Sequence, residues 1–279
     1  MLIAPRGSAH YPGCLEDLSN PPDPLFMIGE ASVLLGPLVS IVGTREPTPY
    51  GVKTARAIST AFARAGVSVV SGMARGIDAV AHRACLENGV PTIAILGTGI
   101  DVPYPVGHRE LHRVIGEKGL VVSENGPGLT AHKGAFPRRN RIIAALSKVT
   151  IVVEAGHRSG ALNTASQALE LGRTVAAVPG PIDSSQSEGT NQLIRDGATV
   201  IATVEDALAL VGISTSPRVP YQLSEVDGTI WSALGNGPLT IDVLSSRTRL
   251  PSRDCLTSVT SLEILGLVES LVTGEVRLR

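Results

Sequence analysis

Aromatic residues are scarce in this 279-residue chain, at 3% in all, so any core must be built from Val, Ile, Leu and Ala. Apolar residues reach 43%, enough for one large domain and a small one. Cysteine is sparse too: Cys14, Cys85 and Cys255 lie far apart, odd in number and with no CxxC pair. That usage favours free thiols in a reducing compartment over a disulfide framework or a metal site. No apolar run reaches the ~18–20 residues that span a bilayer. The opening MLIAPRGSAHYP lacks the apolar stretch of a signal peptide, so a cytoplasmic location is expected. Charge of one sign is missing as well. The formal net charge is −1, so any affinity for nucleic acid has to come from a local patch.

Several chemistries lack their motifs. There is no GxxxxGK followed by Ser or Thr, which excludes a Walker-type phosphate loop. Gly97 and Gly99 begin a dinucleotide-like GxG, but Val102 stands where the third glycine belongs. HExxH is absent and the six histidines are scattered. No catalytic residue, no metal ligand and no cofactor is expected.

What is present is a rhythm. Short β-branched runs at Val39–Val42, Val67–Val70, Thr92–Leu96, Leu120–Ser123, Thr150–Val153, Thr174–Val178 and Thr199–Ile201 read as strands. Most are apolar throughout, as strands buried on both faces are. Helix-length segments lie between them: Tyr50–Ala65, Ile77–Asn88, Arg109–Glu117, Arg138–Leu146, Ala161–Leu171 and Asn191–Asp196. Gly66, Gly89, Gly119 and Gly172 sit where left-handed helix caps are wanted. The fold class is therefore α/β: an extended Rossmann-like, doubly wound and mostly parallel sheet over residues 38–211. Residues 1–37, rich in Pro, read as an N-terminal arm packed on that domain, and 212–221 as a linker. Residues 222–279 carry three helix candidates and a strand pair around Thr273-Gly274, a winged-helix pattern. Five Arg and no Lys against seven Asp and Glu in 221–279 make this module a poor reader of duplex DNA.

Ligands of a doubly wound sheet bind outside the carboxyl ends of its strands. Those ends hold Gly43-Thr44-Arg45, Ser71-Gly72 with Asp78, Gly97 and Gly99 with Asp101 and Tyr104-Pro105, Glu154 leading to Ser159-Gly160 and Thr164, and Gly180. Any one glycine turn is as readily structural as functional. Several on one rim suggest a long surface for an anion. From Asn125 to Val153 there is no acid, while Lys133, Arg138, Arg139, Arg141 and Lys148 are present. Phe136 precedes the arginines. Two readings stand: a base stacks on Phe136, or Phe136 is core and the arginines form a solvated face. Asp78, Asp101 and His82 read as turn, cap and packing residues, and Glu154, ending a buried strand, is the carboxylate to watch for chemistry.

These segments in this order, from Tyr11-Pro12 through SGMARGID at 71–78, GTGID at 97–101, FPRRN at 136–140 and Val178-Pro179-Gly180 to Gly197-Ala198, resemble the DNA-processing A (DprA/Smf) family. The resemblance covers roughly residues 10–211. It implies binding of single-stranded DNA without an enzymatic step, protection of incoming DNA during natural transformation, and loading of the RecA recombinase in place of single-strand-binding protein. It also implies a homodimer through the Rossmann-like domain. By this resemblance Arg45 contacts the DNA backbone, and Phe136, Pro137, Arg138, Arg139 and Asn140 lie at the same edge with the helix start at Ser159-Gly160; Lys133 and Thr164 are expected to join them. Val106 departs from the basic residue that many members carry after Tyr-Pro. The alternatives from other classes are a nucleotide sensor and a nucleoside-monophosphate phosphoribohydrolase, for which Glu154 is the candidate acid.

Overall fold

The computed structural model describes residues 1–132, 134–213, 223–235, 237–271 and 273–278. The chain forms two compact units, Met1–Thr215 and Ser216–Arg279. In the first, the elements run β1 (Leu2–Ala4), β2 (Leu25–Gly29), β3 (Leu38–Val42), α1 (Pro49–Arg64), β4 (Ser68–Ser71), α2 (Ile77–Glu87), β5 (Ile93–Leu96) and α3 (Arg109–Lys118). They continue β6 (Leu120–Ser123), α4 (Ala135–Leu146), β7 (Val149–Val152), α5 (Gly160–Glu170), β8 (Thr174–Ala177), α6 (Glu188–Arg195), β9 (Thr199–Val200) and α7 (Val204–Ala209).

The nine strands form one sheet in the order β1-β2-β6-β5-β4-β3-β7-β8-β9. All pairings from β6 to β9 are parallel, and β1 and β2 add an antiparallel edge. The strand order reverses between β3 and β7, the place where such a sheet opens a crevice.

Alternation along each strand assigns the two faces. Ile93, Ile95 and Val122 join α4 and α5 in one core, whereas Val39, Ile41, Val69 and Ile151 join α1 and α2 in the other. Helix α1 shows the logic. Thr48 caps it, accepting from the Gly51 amide at 3.2 Å, and Pro49 occupies its first turn. Ala55, Ile58 and Phe62 recur at helical spacing and are buried to 1% exposure or less.

Residues 1–37 do more than pack on the sheet: β2 pairs with β6 and carries β1 beyond it. Gly66, Gly89 and Gly172 take the left-handed conformation, but Gly119 does not. Gly119 is glycine because a Cβ there would run into the Thr92 backbone. Helix α4 begins at Ala135, one turn before the expected start, and α7 was not anticipated, although Thr203 and Asp206 form its capping box.

The second unit holds α8 (Glu225–Leu234), β10 (Leu239–Thr240), α9 (Ile241–Thr248), α10 (Ser252–Ile264), β11 (Val268–Ser270) and β12 (Glu275–Leu278). Its three helices pack around Ile230, Leu244, Cys255 and Leu262, and the strands form a small antiparallel sheet ordered β10-β12-β11. This is a winged-helix arrangement. Most of the expected linker at 212–221 falls outside the described residues.

Candidate nucleic-acid interface

The loops after β3, β4 and β7 are tied to one another at the reversal point. The Thr44 amide donates to the Glu154 carbonyl at 2.7 Å, and the Thr44 carbonyl accepts from the Ile77 amide at 3.2 Å. A Cβ on Gly43 would strike Ile77, so glycine is needed there for close approach. Arg45, thrown outward by this turn, makes no ion pair among the described residues. Its guanidinium lies 5.4 Å from the centroid of the Phe136 ring. Tyr104 meets the same ring at 4.9 Å between centroids, tilted by 35°.

Two cavities adjoin this stack. The larger, about 690 Å³, is lined by Thr44, Arg45, Phe136, Ser159, Gly160 and Thr164 among others. The start of α5 opens into it. Ser159 caps that helix, and the hydroxyl of Thr164, a residue only 1% exposed, has no hydrogen-bond partner among the described residues. An anion is favoured at such a terminus. Asn140 ties α4 to α5, donating to the Gly160 carbonyl at 3.3 Å and to Asn163 Oδ1 at 3.2 Å. The smaller cavity, about 250 Å³, is lined by Arg45, Glu46, Arg75, Tyr104, Phe136 and Arg139 among others.

Not every residue expected at this rim faces it. Arg139 is 4% exposed. Its Nη1 donates to the carbonyls of Gly72, at 2.6 Å, and Ile95, and its Nε to Asn140 Oδ1 at 3.2 Å. Burial lowers its pKa to about 10, against the attraction of Asp78. Asp78 is buried as well, accepting from the amides of Gly72 and Ala74 at 3.1 and 3.3 Å, and burial raises its pKa. Arg139 lines both cavities, but it is an internal clamp on the β4 and β5 loops, and the expectation that it neutralises a phosphate is corrected. Gly72 is glycine because that guanidinium occupies the space of its Cβ.

Four further positions expected to meet DNA are structural. The Ser71 hydroxyl is buried and donates to the Ile41 carbonyl at 2.6 Å. Gly97 makes room for Ala135 and Phe136, Gly99 for the backbone of Gly126 and Leu129, and Gly180 for Ser187. None of the four lines either cavity.

The basic segment is also less free than its composition suggests. Glu124, just outside the acid-free stretch, is 4% exposed and pairs with Arg141 at 2.6 Å and Arg138 at 3.1 Å. Arg141 is thereby held half-buried, and Arg138, 62% exposed, shares the same carboxylate. Lys133 lies outside the described residues.

The residues expected to be structural divide. Asp101 accepts from the Gly128 amide at 2.8 Å. His82 is buried and accepts from the Met73 amide at 3.3 Å. Glu154, 2% exposed, spends both carboxylate oxygens on Thr48, at 2.6 and 2.8 Å. Pro105 lines the smaller cavity. Tyr104 differs from the expectation of a turn residue, because 39% of it is exposed on the ring stack. Arg75 was missed altogether, although it is the exposed arginine within the SGMARGID turn. Among the described residues no group of His, Cys, Asp and Glu is placed to hold a metal ion, and no helix is long and apolar enough to cross a membrane.

The model of the family described as DNA recombination-mediator protein A matches residues 3–212. The chain belongs to that family. A second model, the DprA winged helix domain, matches residues 214–272. Among DprA relatives, a putative DNA processing protein DprA of Mycobacterium tuberculosis is 41% identical over 239 residues, covering 82% of this chain and 61% of the relative. The chain thus spans about three fifths of that relative's length. The Streptococcus pneumoniae DprA structure superposes with a TM-score of 0.72 at 41% identity, covering 75% of this chain and 73% of the other. DprA of Helicobacter pylori, whose structure concerns its single-stranded DNA binding mode, gives a TM-score of 0.68 at 31% identity over 72% of this chain and 93% of the other.

Proposed function

We propose that this chain binds single-stranded DNA along the rim between β3, β4, β5 and β7, protects it, and passes it to the RecA recombinase in place of single-strand-binding protein during DNA uptake and recombination. One observation carries the reading: Arg45, free of any described carboxylate, lies over Phe136 between two adjoining cavities. A cation beside exposed aromatic surface suits a flexible polyanion whose bases stack without sequence readout. The mediator description of the family and the DNA-binding mode studied in the Helicobacter pylori relative support it. The site residues are Gly43, Thr44, Arg45, Phe136, Arg138, Asn140, Ser159, Gly160 and Thr164.

The setting is cytoplasmic, consistent with three free cysteines. A homodimer through the Rossmann-like domain belongs to the same proposal. The winged helix serves as an accessory module. The proposed role is binding; in its favour, the candidate acid Glu154 is committed to Thr48 and does not line either cavity.

Fluorescence anisotropy with single- and double-stranded oligonucleotides at two salt concentrations tests the proposal. The single strand should bind preferentially, with a log–log salt slope of about −0.7 for each phosphate neutralised. Equal affinity for both forms contradicts it. The volume of the larger cavity also favours a second reading, a mononucleotide sensor. A thermal shift with AMP or CMP and none with oligo-dT would select that reading, and release of free base would select the hydrolase.

A further inference from the structure

Phe136 is not an open platform. It is half-buried, with the Arg45 guanidinium near its ring and the Tyr104 ring packed against it. The aromatic surface left toward solvent belongs to Tyr104, whose hydroxyl has no hydrogen-bond partner among the described residues. Tyr104 and Arg75 both line the smaller cavity, and Arg75 is exposed and without an ion pair among the described residues.

Arg75 is held in position. Gly76, next in the chain, has φ +75°, and a Cβ there would collide with the backbone of Thr44 and Arg45, so the two arginine-bearing loops are pressed together. Two residues earlier, Met73 takes φ +55°, an uncommon conformation for a side-chain-bearing residue. Its amide donates to His82 at 3.3 Å, and its carbonyl accepts from His108 Nδ1 at 2.9 Å. The loop is fixed on both sides before any ligand arrives.

We propose that Tyr104 and Arg75 form a second nucleotide subsite beside the Arg45 cavity, Tyr104 carrying a base by stacking and Arg75 the adjoining phosphate. The proposal rests on the single-stranded DNA reading above and extends it by a nucleotide step. The cavities share Arg45, Glu46, Ala74, Phe136 and Arg139, so a strand leaving one enters the other without crossing buried surface. Arg45 and Arg75 then neutralise successive phosphates. Among the described residues, Glu46 is the sole carboxylate lining the smaller cavity. It repels phosphate and can accept from a base N–H, which turns the base edge, not the backbone, toward it.

The two residues separate by their readouts in titrations of the full chain with oligo-dT. Tyr104→Ala should weaken binding about 5- to 100-fold with the salt slope unchanged, while Tyr104→Phe keeps the stack and stays within about twofold. Arg75→Ala should make the slope shallower by about 0.7. A 2-aminopurine placed along the oligonucleotide should be quenched on the wild type and on Tyr104→Phe, and not on Tyr104→Ala. The subsite is overturned if Tyr104→Ala and Arg75→Ala both bind like the wild type while Arg45→Ala does not, or if Tyr104→Phe loses as much as Tyr104→Ala. Failure of the wild type to bind oligo-dT at all would instead remove the underlying reading.

Discussion

Glu154 meets Thr48 twice, one carboxylate oxygen accepting the Thr48 amide at 2.8 Å and the other its hydroxyl at 2.6 Å. Thr48 in turn caps α1. The carboxylate therefore bolts the end of β7 to the start of α1 at the point where the strand order reverses, and Gly51 is glycine because that carboxylate lies against it.

Glu154→Gln follows directly. An amide cannot accept from both Thr48 groups, so the variant should lose about 1.5–3 kcal/mol of stability, the worth of charge-assisted hydrogen bonds. Affinity for oligo-dT, measured well below the melting temperature, should be retained. Chemical denaturation and anisotropy on one preparation check both halves.

Arg139 and Arg45 should separate in the same pair of assays. Truncating Arg139 removes its hydrogen bonds to the Gly72 and Ile95 carbonyls and its attraction on buried Asp78, and should cost stability on the order of a few kcal/mol. Arg45→Ala touches an exposed side chain and should leave stability within about 0.5 kcal/mol. Its effect should appear in DNA affinity, equally for all sequences.

The stability of the fold should fall in acid through His82. The Thr92 hydroxyl donates to the Val69 carbonyl at 2.7 Å, so it accepts from His82 Nδ1–H at 2.8 Å and leaves Nε2 to accept from Met73. Protonation breaks that last contact. Burial first, then the nearby charges of His108, Arg139 and Arg83, push the pKa down to about 3. A base whose folded pKa is depressed binds fewer protons folded than unfolded. Its contribution is complete above about pH 6.5 and is lost progressively as pH falls toward 3, on the order of several kcal/mol in all. Asp78, with its pKa raised by burial, works in the opposite direction in acid. Melting curves of the wild type and His82→Gln isolate the histidine: the gap between them should narrow as pH falls below 6.5.

Removing the acid of the basic segment should strengthen DNA binding. Glu124→Gln releases Arg138, already 62% exposed, to meet phosphate, with a rise in affinity of a few-fold at low salt and a slope steeper by about 0.7. The same change unpairs Arg141, 12% exposed, so the melting temperature should drop.

Much of the architecture was legible because it is local. Continuous apolar runs such as Ile93–Leu96 announce strands buried on both faces, and left-handed glycines at 66, 89 and 172 mark helix ends. The two antiparallel strands at one end of the sheet were not legible, since Leu2–Ala4 is only three residues long and both it and Leu25–Gly29 abut Pro. At the site, the glycine turns do gather on one rim, but a one-dimensional reading cannot tell a glycine that admits a ligand from one that admits a neighbour. Gly97, Gly99 and Gly180 prove to be the second kind. Nor can it tell an exposed arginine from a buried one. Arg138 and Arg139 are adjacent on α4, and the helical turn between them sends one to solvent and the other into the core. Tyr104 and Phe136 lie 32 positions apart, so only the fold shows that they touch.

The central claim is that Arg45 holds the phosphate of a single strand beside an aromatic stack. Its most direct test is the salt dependence of oligo-dT binding by the wild type and Arg45→Ala, followed by anisotropy. The variant should bind more weakly at every salt concentration, with a slope shallower by about 0.7 per subunit. Superimposable titrations for the two proteins would contradict the account.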